Sequence, residues 1–478
     1  MIQLYVDFRV HIAVVDLDVA TLDEIKVAFT HDNPQHFKLK GMGYKAYKEP
    51  ATIRTWEIRD GVLSLPRGGF KRVRAILRQR GYEYTVVDNR IKGDSHFTGQ
   101  IPDYQGPYEL RDYQKEAVVA MKEKQNTIIR SATGSGKTSA LLAFAALIKL
   151  PTLVIVWQGP LYEQWIRRIR EELKMPTASI GEIRGGIRKF GPITVAMQQS
   201  LWNRLTPEIV NYPGVLIVDE CHRAAAKTLR EVVDAFPAYY RVGASDDERR
   251  TDQKEFLIYD AFGQPSKDIP YNHLADQGHI IDVDIIVVPT EFGPSREYFT
   301  DSDFNTLLDE MTVDQKRNDL IMQIIGVASG LGEQVFVMSH RVQHCVDLVT
   351  MARNNGIKAG LLVGDIRYKK EFAQTLVEME LGTTSVGIGT VQSIGTGLDL
   401  PKIAVSVVTT PIASNETTFR QARGRICRTA KGKDSAVMYY LMDPKFGKKH
   451  VRNLCKWSRK VHVMVNQTLV PGETWLRQ

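Results

Sequence analysis

Thr127-Ile-Ile-Arg-Ser-Ala-Thr-Gly-Ser-Gly-Lys-Thr-Ser-Ala-Leu-Leu-Ala-Phe-Ala-Ala-Leu-Ile148 decides how the rest of the chain is read. Thr127–Arg130 is a short β-branched run, and Ser139–Ile148 is an apolar run of helix formers. Between them lies Ser131-Ala-Thr-Gly-Ser-Gly-Lys-Thr138. Strand, glycine-containing loop and helix in this order make the setting of a phosphate-binding loop. Gly134 and Gly136 allow backbone amides to turn toward an anion, and the helix N-terminus adds its partial positive charge. Thr133, Gly134, Ser135 and Gly136 are thus expected to wrap the phosphates of ATP, with Lys137 reaching the β- and γ-phosphates. Thr138 is expected to ligate Mg2+. One departure from the general motif is Ser131, where glycine is usual.

Downstream, Val215-Leu-Ile-Val-Asp-Glu-Cys-His222 is an apolar run that ends in two acids. Parallel strands deliver such residues into the ligand crevice at their C-terminal ends. Asp219 is expected to hold Mg2+, and Glu220 to orient and deprotonate the attacking water. Further on, Gln421-Ala-Arg-Gly-Arg-Ile-Cys-Arg428 places Arg425 and Arg428 three residues apart, on one face of a helix. They are candidates for arginine fingers that stabilise the transferring phosphoryl group. A solvated basic helix is the alternative.

Outward from these motifs, apolar runs alternate with amphipathic helices. Thr127–Arg130, Thr152–Trp157, Ile193–Ala196, Val215–Val218 and Arg241–Ala244 form one series. Val335–Met338, Ala359–Val363, Ser385–Gly389, Val405–Thr409 and Ala436–Leu441 form a second. Each predicts a parallel sheet with helices on both faces. Before them, residues 1–100 predict a small α+β domain. It has a strand over Leu4–Val15, a helix over Thr21–Phe29 capped by Thr21, a strand over Thr52–Ile58, a basic helix through Arg78 and a strand over Tyr82–Val87. The expected domains are 1–100, 101–288 and 289–478, the last with a basic tail.

The chain has 478 residues, 43% hydrophobic and 25% charged, with a formal net charge of +8. That length suits about three domains, and the composition excludes collagen-like, coiled-coil and wholly disordered chains. The basic excess is compatible with a polyanionic partner. The four cysteines, Cys221, Cys345, Cys427 and Cys455, form no C-x-x-C pair, so no zinc ribbon or iron–sulfur site is expected. Asp7, Arg9, Asp16 and Asp18 interrupt any signal-peptide core, and Lys149 and Pro151 interrupt the longest apolar stretch. A cytoplasmic protein with no membrane span is expected.

Taken in order, these motifs resemble superfamily 2 helicases and translocases over about residues 107 to 440. The resemblance implies two tandem RecA-like domains, an α/β fold, with the small α+β domain ahead of them. It implies ATP and Mg2+ as cofactors and nucleic acid as partner. In Arg111-Asp-Tyr-Gln114, Arg111 and Gln114 match the adenine-reading element. Trp157-Gln-Gly-Pro-Leu-Tyr-Glu-Gln-Trp165 and Thr194-Val-Ala-Met-Gln-Gln-Ser200 match backbone-contacting motifs, implying nucleic-acid contacts from Pro160, Thr194 and Gln198. His340 and Thr390 are implied contacts in the second domain, where Gly397 and Asp399 would face the nucleotide. His222, Ser245, Arg250 and Gln421 are implied to couple hydrolysis to movement. Gly243-Ala-Ser-Asp-Asp-Glu-Arg-Arg-Thr-Asp252 departs from the family pattern, because Asp246 and Asp247 replace an Ala-Thr pair.

The first 90 residues and Asp260-Ala-Phe-Gly263 resemble the XPB, UvsW and RecG group, and the phage UvsW-type branch-migration helicases within it. The basic helix carries Lys71, Arg72, Arg74, Arg78 and Arg80, of which Lys71 and Arg74 are candidate phosphate contacts. In the tail, Lys449, Arg452, Lys456 and Arg459 have helical spacing, and Trp457 either stacks on a base or packs the tail down. No base-reading module is visible. The expected activity is ATP-dependent remodelling or unwinding of branched DNA by a chain for which a monomer suffices. RNA or RNA–DNA hybrid unwinding, a transcription-linked translocase and a non-hydrolysing clamp are the alternatives.

Overall fold

The structure, a computed structural model, describes residues 2–43, 49–202, 204–246, 252–295, 303–394, 400–444 and 446–477. The chain divides into two compact units. One is Met1–Ala132 with Gly136–Pro270, and the other is Tyr271–Gln478 with Thr133–Ser135.

The first unit holds two sheets whose sequences differ for a physical reason. In the five-stranded N-terminal sheet the strand order is Glu57–Arg59, Val62–Pro66, Arg9–Ala13, Ile2–Val6, Tyr84–Asp88. Ile2–Val6 alternates buried and exposed positions, because one face meets the helices Val19–Ala28 and Phe70–Gln79 and the other does not. In the eight-stranded sheet the order is Ile187–Lys189, Gly181–Arg184, Ile193–Met197, Thr152–Val156, Val215–Asp219, Tyr240–Ser245, Asn126–Ser131, Pro265–Ile269. All its neighbours are parallel except the first pair. Its central strands Thr152–Val156 and Val215–Asp219 are buried at every position, as strands covered on both faces must be.

The second unit repeats this plan. Its order is Ala359–Leu362, Val386–Thr390, Gln334–Ser339, Ile403–Val408, Val437–Met442, Asp284–Pro289, Val461–Val465, Thr468–Pro471. Only the last pair is antiparallel. The strand Asp284–Pro289 belongs to this sheet, so the sheet begins ahead of residue 289. Two largely parallel α/β sheets preceded by a small domain are the tandem RecA-like fold expected from the sequence. Among the described residues no helix is long and apolar enough to cross a membrane.

Local details of the small domain differ from the sequence reading. The strand expected over Leu4–Val15 is a hairpin, Ile2–Val6 and Arg9–Ala13. The run Thr52–Ile58 divides between two sheets, with Thr52–Arg54 pairing Thr30–Asp32 and Glu57–Arg59 pairing Val62–Pro66. Asp18, not Thr21, caps the first helix, its carboxylate accepting from the Thr21 backbone N–H at 2.7 Å.

Buried guanidinium groups join the small domain to the large sheet of the same unit. Arg67 is 2% exposed and donates to the carbonyls of Ala238 and Tyr239. Arg241, fully buried on the strand Tyr240–Ser245, donates to Phe8 O at 3.0 Å and to Phe236 O at 2.9 Å. Asp260, on the helix Phe256–Phe262, accepts from Thr55 Oγ1 at 2.7 Å and lies 3.1 Å from His31 Nε2. At Gly68 a side chain is excluded, since a Cβ would sit 2.2 Å from Tyr259 O.

Candidate ATP site

The strands Asn126–Ser131 and Val215–Asp219 run parallel in the same sheet, so the phosphate loop and the acidic pair emerge at the same edge. Asp219 closes its strand and is 7% exposed. Its Oδ2 accepts from the Trp165 indole N–H at 2.9 Å, and its Oδ1 from the Glu220 backbone N–H at 3.0 Å. Burial and the neighbouring Glu220 carboxylate raise its proton affinity, while Lys137 and Trp165 oppose the rise. Glu220 takes a left-handed backbone, φ 55°, unusual for a residue with a side chain.

Lys137 Nζ lies 3.9 Å from Glu220 Oε1. Glu220 Oε2 lies 3.2 Å from His222 Nδ1, which is 3.1 Å from the buried Ser245 Oγ. Burial disfavours the Lys137 charge, but Glu220, Asp246 and Asp219 outweigh it, so the ammonium is held above the ordinary lysine value. Lys137, Asp219, Glu220, His222 and Ser245, all picked out in the sequence, form one connected set.

The loop itself is held from one side by Gln114. Gly136 has φ 78°, and a Cβ there would lie 2.4 Å from Gln114 Nε2. That amide donates to Gly136 O at 3.2 Å, while Gln114 Oε1 accepts from the Arg111 N–H at 2.9 Å. Thr138 is the second residue of the helix Lys137–Ile148 and is partly exposed, as are Thr133 and Gly134, whereas Ser135 is buried. The Thr138 hydroxyl and the Asp219 carboxylate are hard oxygen donors, and each Asp219 oxygen retains a lone pair beyond its one hydrogen bond. This donor set fits Mg2+.

Trp165 is the supporting residue the sequence did not single out, since nothing in its spacing ties it to Asp219. Trp165→Phe keeps the ring but removes the donor. A hydrogen bond to a charged group contributes about 1.5–3 kcal/mol, so the Mg2+ concentration for half-maximal ATPase is expected to rise about tenfold. A shift below twofold in a Mg2+ titration would show the bond to be dispensable.

The departure after Ser245 has a structural consequence. The Asp246 carboxylate acts on Lys137, the group expected to receive the phosphates. Asp246→Ser removes a competing anion and is expected to lower KM for ATP about threefold to tenfold, a change of about 1 kcal/mol. An unchanged or higher KM in steady-state ATPase assays would refute this. Asp247 and Arg250 lie outside the described residues, as do Gly397 and Asp399.

In the second unit, Gln421 and Arg425 lie partly exposed on the helix Glu416–Ile426, and Arg428 follows its end. Arg423 of the same motif is structural. It is 4% exposed, stacks 3.5 Å from the Tyr271 ring centroid and donates to Trp457 O at 2.9 Å. Lys433, unremarked in the sequence, donates from Nζ to Ile426 O at 2.6 Å, Arg428 O at 2.8 Å and Pro401 O at 3.1 Å. It closes the carbonyl end of the helix that carries Arg425. Burial pushes its amine down to about 8.

The expected nucleic-acid contacts are unequal. Thr194 is fully buried early in its strand, with its hydroxyl bonded to the Tyr212 hydroxyl at 2.9 Å, so it is a core residue and not a phosphate contact. Gln198 follows the end of that strand and donates to Thr228 Oγ1 at 3.2 Å. Pro160 starts the helix Gly159–Leu173. Thr390 ends its strand, and its hydroxyl accepts from Ser393 N at 3.3 Å. His340 bonds Thr410 Oγ1 at 2.7 Å, and burial pushes its pKa down to about 4, so it is neutral at physiological pH. Lys71 is exposed, whereas Arg74 Nε donates to the Tyr84 hydroxyl at 2.8 Å. Trp457 packs on Phe419, centroids 5.6 Å apart, which favours packing over base stacking.

Residues 107–245 match the family described as Type III restriction enzyme, res subunit. The DNA 3'-5' translocase XPB2 of Sulfurisphaera tokodaii is 35% identical over 149 residues, 31% of this chain and 33% of that protein. A protein of Acanthamoeba polyphaga mimivirus, L396, whose name proposes an ATP-dependent RNA helicase, is 24% identical over 447 residues, 89% of this chain and 79% of that protein. Among solved structures, S. cerevisiae Dbp5 bound to RNA and ADP BeF3 covers 77% of this chain and 95% of its own at a TM-score of 0.55, with 12% identity. Phosphate loop, acidic pair and arginine motif on two RecA-like sheets, together with these relatives, make the chain similar to ATP-driven helicases and translocases of nucleic acid.

Proposed function

We propose that the protein is an ATP-dependent DNA helicase or translocase that remodels branched DNA, such as forks, four-way junctions, D-loops or R-loops. The observation that carries this reading is the connected set Lys137, Glu220, His222 and Ser245, which links the phosphate loop, the acidic motif and the strand that ends at Ser245. Lys137 binds the phosphates, Glu220 takes the proton of the attacking water, and His222 reports its state to Ser245. Thr138 and Asp219 would hold Mg2+, which when bound neutralises charge on the phosphates. Arg425 and Arg428 are proposed as the arginine fingers.

The likeness to an XPB2 translocase supports DNA as the track. The small domain, seated on the large sheet through Arg67, Arg241 and Asp260, offers a second surface for the other arm of a branched substrate. Host-cell cytoplasm and a phage UvsW-type role fit this reading. The mimivirus relative favours RNA as the second reading.

The test is steady-state ATPase with no nucleic acid, single-stranded DNA, duplex DNA, forked DNA, four-way junctions and matched RNAs. Forks or junctions are expected to stimulate most. Stimulation by RNA alone would overturn the DNA reading in favour of the RNA alternative.

A further inference from the structure

Among the described residues two helices, Phe70–Gln79 and Gly447–Trp457, are strongly basic, and their cations differ in what they already touch. On Phe70–Gln79, Arg72 donates to Ala28 O at 2.8 Å and lies 3.4 Å from Asp260 Oδ1, and Arg74 is bound to Tyr84. Arg80, which ends that helix, is paired with Glu24. On the tail helix Gly447–Trp457, Lys448, Lys449, Arg452 and Lys456 are all exposed. None of the four has an ion-pair or hydrogen-bond partner among the described residues.

Helical geometry puts these four cations within an arc of about 100°. His450, Val451 and Leu454 are buried on the opposite side. That side is anchored to the second unit by His450 bonded to the Tyr440 hydroxyl at 2.8 Å and by Asn453 donating to Ala413 O at 2.7 Å. The stripe therefore does not include Arg459. That residue lies beyond the helix and pairs with Asp276 and Asp282 at 2.6 and 2.7 Å.

We propose that the exposed basic face of Gly447–Trp457 binds the phosphodiester backbone of the nucleic acid on which the motor acts. Four unpartnered cations on a rigidly seated helix match a row of phosphates in charge and offer no base-reading group, so the contact is independent of sequence. The proposal rests on the reading of the chain as a nucleic-acid motor.

The test compares the full chain with Lys448→Gln/Lys449→Gln/Arg452→Gln/Lys456→Gln, measuring affinity for labelled forked DNA between 50 and 200 mM salt. Each phosphate contact contributes about 0.9 to the slope of log affinity against log salt. The variant is expected to show a slope shallower by about 2–4, affinity at 50 mM salt at least about tenfold weaker, and unchanged basal ATPase. Lys448→Gln/Lys456→Gln covers the case in which the fourfold variant does not fold, with an expected change of about 1–2. A slope within about 0.5 of the parent overturns the proposal, including the case in which the helix proves to bind phosphatidylserine vesicles instead. If the parent ATPase responds to no nucleic acid, the motor reading fails as well. If it responds and the slope is unchanged, this surface alone is excluded.

Discussion

Glu220→Gln is expected to lower nucleic-acid-stimulated ATP turnover by about 10²–10⁴-fold, the usual contribution of a positioned general base, with ATP binding retained. The carboxylate lies between Lys137 at 3.9 Å and His222 at 3.2 Å, on a left-handed backbone that fixes where it emerges from the strand. Glutamine has the same shape and keeps polar contacts there, but its amide cannot take a proton from water. The substitution also removes the nearest negative charge from Asp219, whose proton affinity then falls toward the ordinary carboxylate range. Mg2+–ATP affinity should therefore hold or improve. Equilibrium binding of a fluorescent ATP analogue beside single-turnover hydrolysis separates the two effects. Turnover within tenfold of the parent would remove Glu220 from the role of base.

Arg425→Ala is expected to slow hydrolysis by about 10³-fold, near the lower end of what an arginine finger supplies. The informative control lies two residues away. Arg423 is buried, stacked on Tyr271 and bonded to the Trp457 carbonyl. Arg423→Ala should therefore destabilise the second unit, lowering its melting temperature by several degrees at about 2–4 °C per kcal/mol. Arg425, partly exposed on the same helix, should leave that temperature nearly unchanged. A loss of kcat below about tenfold for Arg425→Ala, or a melting shift as large as that of Arg423→Ala, would assign Arg425 to structure and not to chemistry.

Which features were legible beforehand follows from how each is stabilised. The strands Thr152–Val156 and Val215–Asp219 are covered on both faces, so they must be apolar throughout and announce themselves in sequence. The phosphate loop is legible because a close backbone turn demands glycine, as the φ of 78° at Gly136 shows. Pro265–Ile269 was hidden for the opposite reason. It is an edge strand, half-exposed and polar over most of its length, and its Pro265 needs no donor on the outer side. Thr194 misled because a threonine at a strand and a threonine beside a phosphate look the same in a motif. Its hydroxyl is instead taken up by Tyr212 and by the backbone of Gly191, partners that a motif does not record. Trp165 acts through one contact to Asp219, 54 residues along the chain, and Lys433 through three backbone carbonyls, and no periodicity records such contacts.

The guanidinium groups of Arg67 and Arg241 bear on heredity as much as on architecture. Each is buried, and each has at least one acceptor across the seam between the small domain and the large sheet. A chimera that took its first 100 residues from a distant relative would enclose charged groups whose carbonyl partners had moved, at a cost of several kcal/mol. The small domain and the large sheet of the first unit are therefore expected to tolerate replacement only together, as one block.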